Sequence, residues 1–335
     1  MAKRSDLPRI AFIGAGRMAH LYHLPSQVQL QKEGRSRLVA VCDLNREAAA
    51  TAAKKFKIPG VYNDIDTMLK EEQPDGVVMI MPVPVTPSVA SHVLSKGYKV
   101  MMEKPPGDSV KKCLQIVNAA KKSRTKNMVA FNRRFCPVLV QGREEALKRG
   151  KPKGANGLMY RKDRREWEFF IGTGIHTLDA MRYLGGDMDR VETNTKELAK
   201  GEQRAFSLYV SYANGGAGTL NIRPQAGVQL ERYELFAPQT SVLIHAGVGW
   251  LVDTPGSCTV YVGNEKQKIP DVLKPYRRFK DPLLEAMVSG FYGENEAFVK
   301  ALRGEGPFTP SVEESLQSVE ICEAVQNGRS WKRRA

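Results

Sequence analysis

The sequence predicts an α/β first half built on a parallel, doubly wound sheet and an α+β second half built on an open, mostly antiparallel sheet. Three observations predict this. Short apolar runs alternate with amphipathic stretches as far as residue 130. The pattern then shifts to a period of two, with Phe206, Leu208, Val210 and Tyr212 on one face of a strand. The length, 335 residues, fits two domains at roughly 150 residues each.

The apolar runs are Ile10–Ile13, Leu38–Cys42, Gly76–Met81, Lys99–Met102 and Met128–Phe131, and helix-like segments fall near 17–30, 45–56, 86–96 and 109–123. Strands of this length between helices imply βαβ units and a sheet covered on both faces. Asn45 is suited to cap the helix that follows it, and Gly97 to end the one before it. Residues 150–157 read as a connection. Gly215–Gly216 is a turn signal, with Thr219–Arg223 as the return strand. Further strands are expected near 229–236, 240–245 and 258–262, and a helix near 174–184. Two helices near 282–303 and 311–327 close the chain, the last starting at Thr309, Pro310 and Ser311, and the basic tail Lys332–Arg334 is expected to fray. The domains are expected at 1–130 and 131–335, with the terminal helices able to pack back on the first.

Composition narrows the classes. Hydrophobic residues at 42% and charged residues at 26% exclude a disordered or fibrous chain. No apolar run approaches the ~18 residues of a membrane span. Lys3 and Arg4 are followed only by Ile10–Ile13, too short for a secretory core of about 7–15 residues. The cysteines Cys42, Cys113, Cys136, Cys258 and Cys322 form no C-x-x-C pair, which reads as reduced thiols in a cytoplasmic protein with no metal site. The net charge of +15 points to an anionic partner: nucleic acid, a membrane or an acidic small molecule. Of the basic runs Lys121–Lys126, Arg143–Lys153, Arg161–Arg165 and Lys274–Lys280, only the last holds aromatics, Tyr276 and Phe279, and none lies in a nucleic-acid module. Most of them read as solvated faces, and neither nucleic acid nor membrane is the expected partner.

The first strand leads into Gly14-Ala15-Gly16-Arg17-Met18-Ala19, a G-x-G-x-x-A turn. The first glycine permits the tight turn, the second lets the backbone approach a pyrophosphate, and the small third residue lets helix pack on strand. Amides at the helix start then hold the phosphates. The second strand ends at Asp43, 24 residues beyond Ala19, near the spacing of an acid that takes ribose hydroxyls. The alternative for Asp43 is a helix cap. Strand, turn, helix, strand and acid in this order define a dinucleotide-binding Rossmann domain. Asp43 favours NAD over NADP, because a carboxylate repels a 2′-phosphate, although Arg46 softens that preference.

Three further segments carry a family resemblance: Met81-Pro82, Glu103-Lys104-Pro105, and Gly174-Ile175-His176-Thr177-Leu178-Asp179. With the glycine turn and the Phe308-Thr309-Pro310-Ser311 link, the chain resembles the glucose–fructose oxidoreductase / inositol dehydrogenase (Gfo/Idh/MocA) family along nearly its whole length. The resemblance implies an active site between the domains and oligomers formed through the C-terminal sheet. It implies Lys104 and His176 as catalytic groups. It gives the cofactor Gly14, Gly16, Arg17, Met18, Asp43, Met81, Pro82, Glu103, Lys104 and Asn132. Lysine at a strand end can hydrogen-bond the reacting hydroxyl, and an imidazole can exchange its proton near neutral pH. Pro105 in relatives often follows a cis peptide. Many relatives carry an Asp four residues before the histidine, where this chain has Gly172, and a His where it has Thr86. Asp163, Glu166 and Tyr160 are candidates to replace that Asp.

Arg161, Lys162, Arg164 and Arg165, followed by Trp167, Phe169 and Phe170, suggest a carbohydrate or polyol substrate, neutral or anionic. Arg133, Arg161, Arg165, Trp167 and Asp179 are its candidate contacts. The expected activity is NAD-dependent oxidation of a secondary hydroxyl of a sugar, sugar derivative or cyclitol. The alternatives are a glycosidase with tightly bound NAD, working by oxidation and elimination, and a non-catalytic dinucleotide-binding protein.

Overall fold

A computed structural model describes residues 7–199 and 203–333. Lys3, Arg4 and Arg334 lie outside the described residues. The chain divides into two compact units. The first runs to Phe131 and adds Asp281–Ala286 and Phe291–Leu316; the second holds Asn132–Lys280, Met287–Gly290 and the chain from Gln317.

The first unit is a six-stranded parallel sheet in the order β3-β2-β1-β4-β5-β6. Its strands are β1 (Arg9–Ile13), β2 (Arg37–Cys42), β3 (Gly60–Tyr62), β4 (Gly76–Met79), β5 (Lys99–Glu103) and β6 (Asn127–Ala130). Between them run α1 (Leu24–Lys32), entered through a π-helical turn at Ala19–His23, α2 (Arg46–Phe56), α3 (Ile65–Glu72), α4 (Thr86–Ser95) and α5 (Val110–Ser123). The apolar runs are strands because both faces are covered: Ile10, Phe12, Val78 and Met101 have no exposure. Each contributes roughly 1.5–3 kcal/mol by burial. The order reverses direction across β1 and β4, where sheets of this kind bind ligands beyond the carboxyl ends of their strands. β3 has only three residues and gives no readable run.

The second unit holds a nine-stranded mixed sheet in the order β14-β13-β12-β11-β7-β10-β9-β8-β15. In chain order it contains α6 (Pro137–Leu147), β7 (Ala155–Tyr160), a π-helical turn at Phe170–Gly174 entering α7 (Ile175–Gly185), β8 (Met188–Ala199), β9 (Gln203–Tyr212), β10 (Ala217–Arg223), β11 (Leu230–Ala237), β12 (Thr240–His245), β13 (Ser257–Val262) and β14 (Glu265–Lys266). The chain closes with α8 (Leu283–Val288), α9 (Phe291–Leu302), α10 (Val312–Gln326) and β15 (Trp331–Lys332). Phe206, Leu208, Val210 and Tyr212 all point inward, and β9 and β10 form the hairpin around Gly215.

Four local readings are corrected. Residues 155–157 belong to β7, not to a connection; its inward positions include Ala155 and Gly157, too small to give an apolar signal. α6 is unsignalled because its buried face includes Gln141, Gly142 and Glu145. The helix expected near 282–303 is two helices. Gly290 separates them at φ +88°, where a Cβ would lie 2.0 Å from the Asn132 carbonyl oxygen. Trp331 and Lys332 do not fray but pair with Val191 and Arg190.

Candidate functional site

In the first unit the glycine turn closes tightly against β4. Gly14 has φ +96°, and a Cβ there would sit 2.0 Å from the Ile80 carbonyl oxygen, so only glycine fits. Its N–H donates to the Cys42 carbonyl at 2.8 Å, tying the turn to β2. At Gly16 a Cβ would meet nothing within 4 Å. The backbone there is open to an incoming group, as a pyrophosphate requires. Arg17 is exposed, while Met18 packs on the cluster of Tyr22, Ala286 and Phe291.

Asp43 is bound to this turn. Its Oδ2 accepts the Ala15 N–H at 2.8 Å and its Oδ1 the Asn45 N–H at 2.9 Å. The cap of α2 is Asn45, whose side chain accepts from the amides of Glu47 and Ala48. Asp43 is therefore not the cap. Met81 and Pro82 follow β4, and the Pro82 carbonyl accepts the Thr86 hydroxyl at 3.1 Å.

Glu103 and Lys104 stand at the end of β5, and the Lys104–Pro105 peptide is cis. The Glu103 carboxylate accepts the Lys104 backbone N–H at 3.0 Å and faces His23 Nε2 at 2.9 Å. Burial would raise its pKa, but His23 and Lys104 outweigh burial and hold it below the usual carboxylate range. Sequence reasoning missed His23; it lies in the middle of a helical run and carries no local signal.

In the second unit His176 sits in the first turn of α7, 8% exposed. One turn earlier, a Cβ on Gly172 would meet nothing within 4 Å. Asp163 and Glu166, candidates to replace an acid there, pair with Arg165 and Arg164. Asp179 has no exposure; it accepts from Arg134 at 2.7 and 2.9 Å and from the Ser318 hydroxyl at 3.1 Å. Its role in the structure is to pin α7. Arg165 and Trp167 are exposed.

The largest departure from the sequence reading concerns Arg133 and Arg161. Neither is a surface cation: they are 4% and 2% exposed and converge on Glu231 of β11, which has no exposure. Arg133 grips both oxygens at 3.0 and 2.7 Å, Arg161 donates to Oε1, and the Tyr233 hydroxyl donates to Oε2 at 3.2 Å. Burial would raise the Glu231 pKa, but the two guanidiniums hold it at about 2. Asn132 joins the cluster, accepting from Arg133 at 3.0 Å and donating to the Ser289 carbonyl at 2.8 Å. A signal for Glu231 existed: the alternation Glu231, Tyr233, Leu235, Ala237 puts an acid on an inward apolar face.

A turn open to a pyrophosphate, held by an acid at the neighbouring strand end, makes the first unit a dinucleotide-binding domain. Residues 8–131 match the family model described as oxidoreductase family, NAD-binding Rossmann fold. Residues 161–334 match the companion model, oxidoreductase family, C-terminal alpha/beta domain. The chain belongs to the Gfo/Idh/MocA family and is an NAD-binding oxidoreductase of it. It is 22% identical to an inositol 2-dehydrogenase of Rhizobium meliloti, over 97% of this chain and 98% of that one. It is 29% identical to a D-glucoside 3-dehydrogenase of Escherichia coli, over 55% of this chain and 56% of that one. The WlbA dehydrogenase of Chromobacterium violaceum, solved with NADH and UDP-GlcNAcA, shares the fold at a TM-score of 0.75 and 20% identity, over 98% of this chain and 97% of that one. Among the described residues no helix is long and apolar enough to cross a membrane.

Proposed function

We propose that this protein is an NAD-dependent dehydrogenase acting on a secondary hydroxyl of a sugar, sugar derivative or cyclitol. The observation that carries the reading is the first unit's construction: one parallel sheet presents both the open turn at Gly16 and the Glu103-Lys104 pair at its strand ends. The relatives named above act on an inositol and a glucoside, which supports the substrate class. NAD, when bound, supplies the hydride acceptor.

The chain's own residues supply the rest. Backbone amides at Gly16, Arg17 and Met18 would hold the pyrophosphate, Gly14 would shape the turn beneath it with its own N–H on the Cys42 carbonyl, and Asp43 would take ribose hydroxyls on its remaining lone pairs. Met81, Pro82 and Glu103 complete the proposed cofactor set; Asn132, the remaining candidate, has no exposure and both ends of its amide are engaged inside the second unit. Lys104 holds the reacting hydroxyl and, with His176, moves its proton; a cation also stabilises the developing alkoxide. Trp167, Arg165, Arg133, Arg161 and Asp179 were the sequence's substrate candidates. Arg161, Arg133 and Asp179 are buried in the second unit, whereas Trp167 and Arg165 are exposed and so remain the better placed of them. The UDP-GlcNAcA in the related structure keeps an acidic sugar within the proposal.

The deciding experiment is a sugar and cyclitol panel with NAD, followed by NADH absorbance. Reduction of NAD by at least one member supports the dehydrogenase. Release of the aglycone from an aryl glycoside without added NAD would instead favour the glycosidase, and tight NADH binding with no turnover would favour a binding protein. The cofactor preference has its own test. Asp43→Asn removes the charge but keeps an acceptor for the Ala15 N–H. It should lower the NAD-to-NADP ratio of kcat/KM about tenfold, the equivalent of ~1.4 kcal/mol; an unchanged ratio would remove Asp43 from the ribose site.

The second unit's sheet supports a further proposal, a homo-oligomer. α6 and α7 pack on one face of the sheet, and Leu158, Tyr209, Phe236 and Leu243 alternate to the other, with Tyr209 54% exposed. Tyr209→Glu should shift the mass by light scattering to that of a monomer. A wild-type chain that is already monomeric at micromolar concentration would sink this proposal.

A further inference from the structure

We infer that His23 is a positioning residue for Lys104, acting through Glu103. The inference rests on the proposed reading of Lys104 as the proton-moving group.

His23 has no exposure, and Gln27, Glu103, Phe291, Glu294 and Asn295 belong with it to the first unit. One oxygen of Glu103 faces His23 Nε2 at 2.9 Å, and the other accepts the Lys104 backbone N–H at 3.0 Å. A single carboxylate thus bridges a buried imidazole and the main chain at the lysine.

The ring's proton can be placed from the surrounding network. Asn295 brings one side-chain atom to 2.8 Å from the Phe291 carbonyl oxygen and to 3.1 Å from His23 Nδ1. A carbonyl only accepts, so that atom is the amide nitrogen, and Nδ1 accepts from it. The proton of the neutral ring therefore lies on Nε2 and points at Glu103. The other end of Asn295 accepts from Gln27 Nε2 at 3.0 Å, and Gln27 Oε1 accepts the Ser36 hydroxyl at 3.3 Å. Every amide in this chain of contacts is oriented consistently. Phe291 stands edge-on to the imidazole at 5.4 Å, which restrains its plane. Glu294 lies on the same side of the ring, 3.8 Å from Nε2, so Glu103 has the shorter contact.

This arrangement fixes the Glu103 carboxylate from behind, and the carboxylate fixes the main chain from which the Lys104 side chain springs. Catalytic groups held by such support lose rate when the support loosens by about 1 Å.

The test uses the full chain. In spectra of histidine-labelled protein, His23 should carry its proton on Nε2; a proton on Nδ1 would overturn the inference. His23→Leu removes the donor and should speed exchange of the Lys104 amide at least tenfold. His23→Gln, whose amide nitrogen falls near the Nε2 position, should keep exchange within threefold of wild type. Should His23→Leu fail to fold, Glu103→Gln serves instead: His23 and Lys104 meet different oxygens of Glu103, and a carboxamide turns one of those two positions into a donating NH2. It too should speed exchange at least tenfold. Unchanged Lys104 exchange in the folded variant overturns the inference. In turnover, His23→Leu should lower kcat at least tenfold with the KM for NAD within twofold, and His23→Gln should restore most of it. Amide exchange and ring protonation need no substrate. A wild type that oxidises no sugar while both hold sinks the dehydrogenase reading alone; turnover with unchanged Lys104 exchange sinks the role of His23 alone.

Discussion

Replacing Glu231 by Gln should destabilise the second unit by about 3–5 kcal/mol, the cost of removing one partner from a buried ion pair. The geometry makes the sign firm. Two buried guanidiniums share one carboxylate, so the wild-type cluster carries one net positive charge. Glu231→Gln leaves both cations in the interior without an anion. Arg161→Met goes the other way: it removes the excess charge and leaves the two-pronged Arg133–Glu231 pair intact. Arg161→Met should therefore cost clearly less than Glu231→Gln, with Arg133→Met between them. Urea midpoints of the three variants give the order directly, and an Arg161→Met chain as unstable as Glu231→Gln would refute this account.

The same cluster fixes a pH dependence. The Glu231 pKa is held at about 2, below an unfolded carboxyl near 4.3. A depressed carboxyl pKa stabilises the fold above the unfolded value, and that stabilisation is lost as pH falls toward the folded one. The gap in stability between wild type and Glu231→Gln should be full at pH 6 and shrink steadily from pH 4 toward pH 2. A gap that widens on acidification would mean that the carboxylate is not the ionised partner of the two arginines.

The cluster also shows where sequence stops being informative. The strands of the first unit are legible because burial on both faces forces contiguous apolar runs such as Ile10–Ile13 and Val77–Met79. Gly14 and Asp43 are legible because the constraints on them are local: a tight turn, and an acid at the next strand end. The fates of Arg133 and Arg161 are not local. Their shared partner lies 98 and 70 residues further along the chain, and a run of basic residues looks the same whether it is solvated or buried around an acid. His23 is similar, with its contacts 80 and 272 residues away. β7 was hidden for a different reason. A strand whose inward residues are Ala155 and Gly157 buries little side chain, so its alternation carries almost no hydrophobic contrast.

Lys104→Met should lower kcat by about 10²–10⁴-fold, the usual share of a positioned proton-transfer group. The substitution keeps the aliphatic stem and removes only the ammonium. The Glu103 carboxylate holds the backbone of residue 104 through its N–H, which any residue but proline supplies, so the strand end should keep its shape. The loss should then fall on the chemical step, with NADH affinity by fluorescence within about tenfold. Lys104→Arg separates two ways in which a lysine can act. A guanidinium keeps the positive charge that stabilises an alkoxide, but it is too weak an acid to give up a proton at neutral pH. If charge alone matters, Lys104→Arg should recover most of the activity lost in Lys104→Met. If Lys104 moves the proton, both variants should be similarly slow, and the residual rate should depend on His176, falling again in Lys104→Met with His176→Asn. A Lys104→Met chain within tenfold of wild-type kcat would exclude the lysine from the reaction and leave the proton to the second unit.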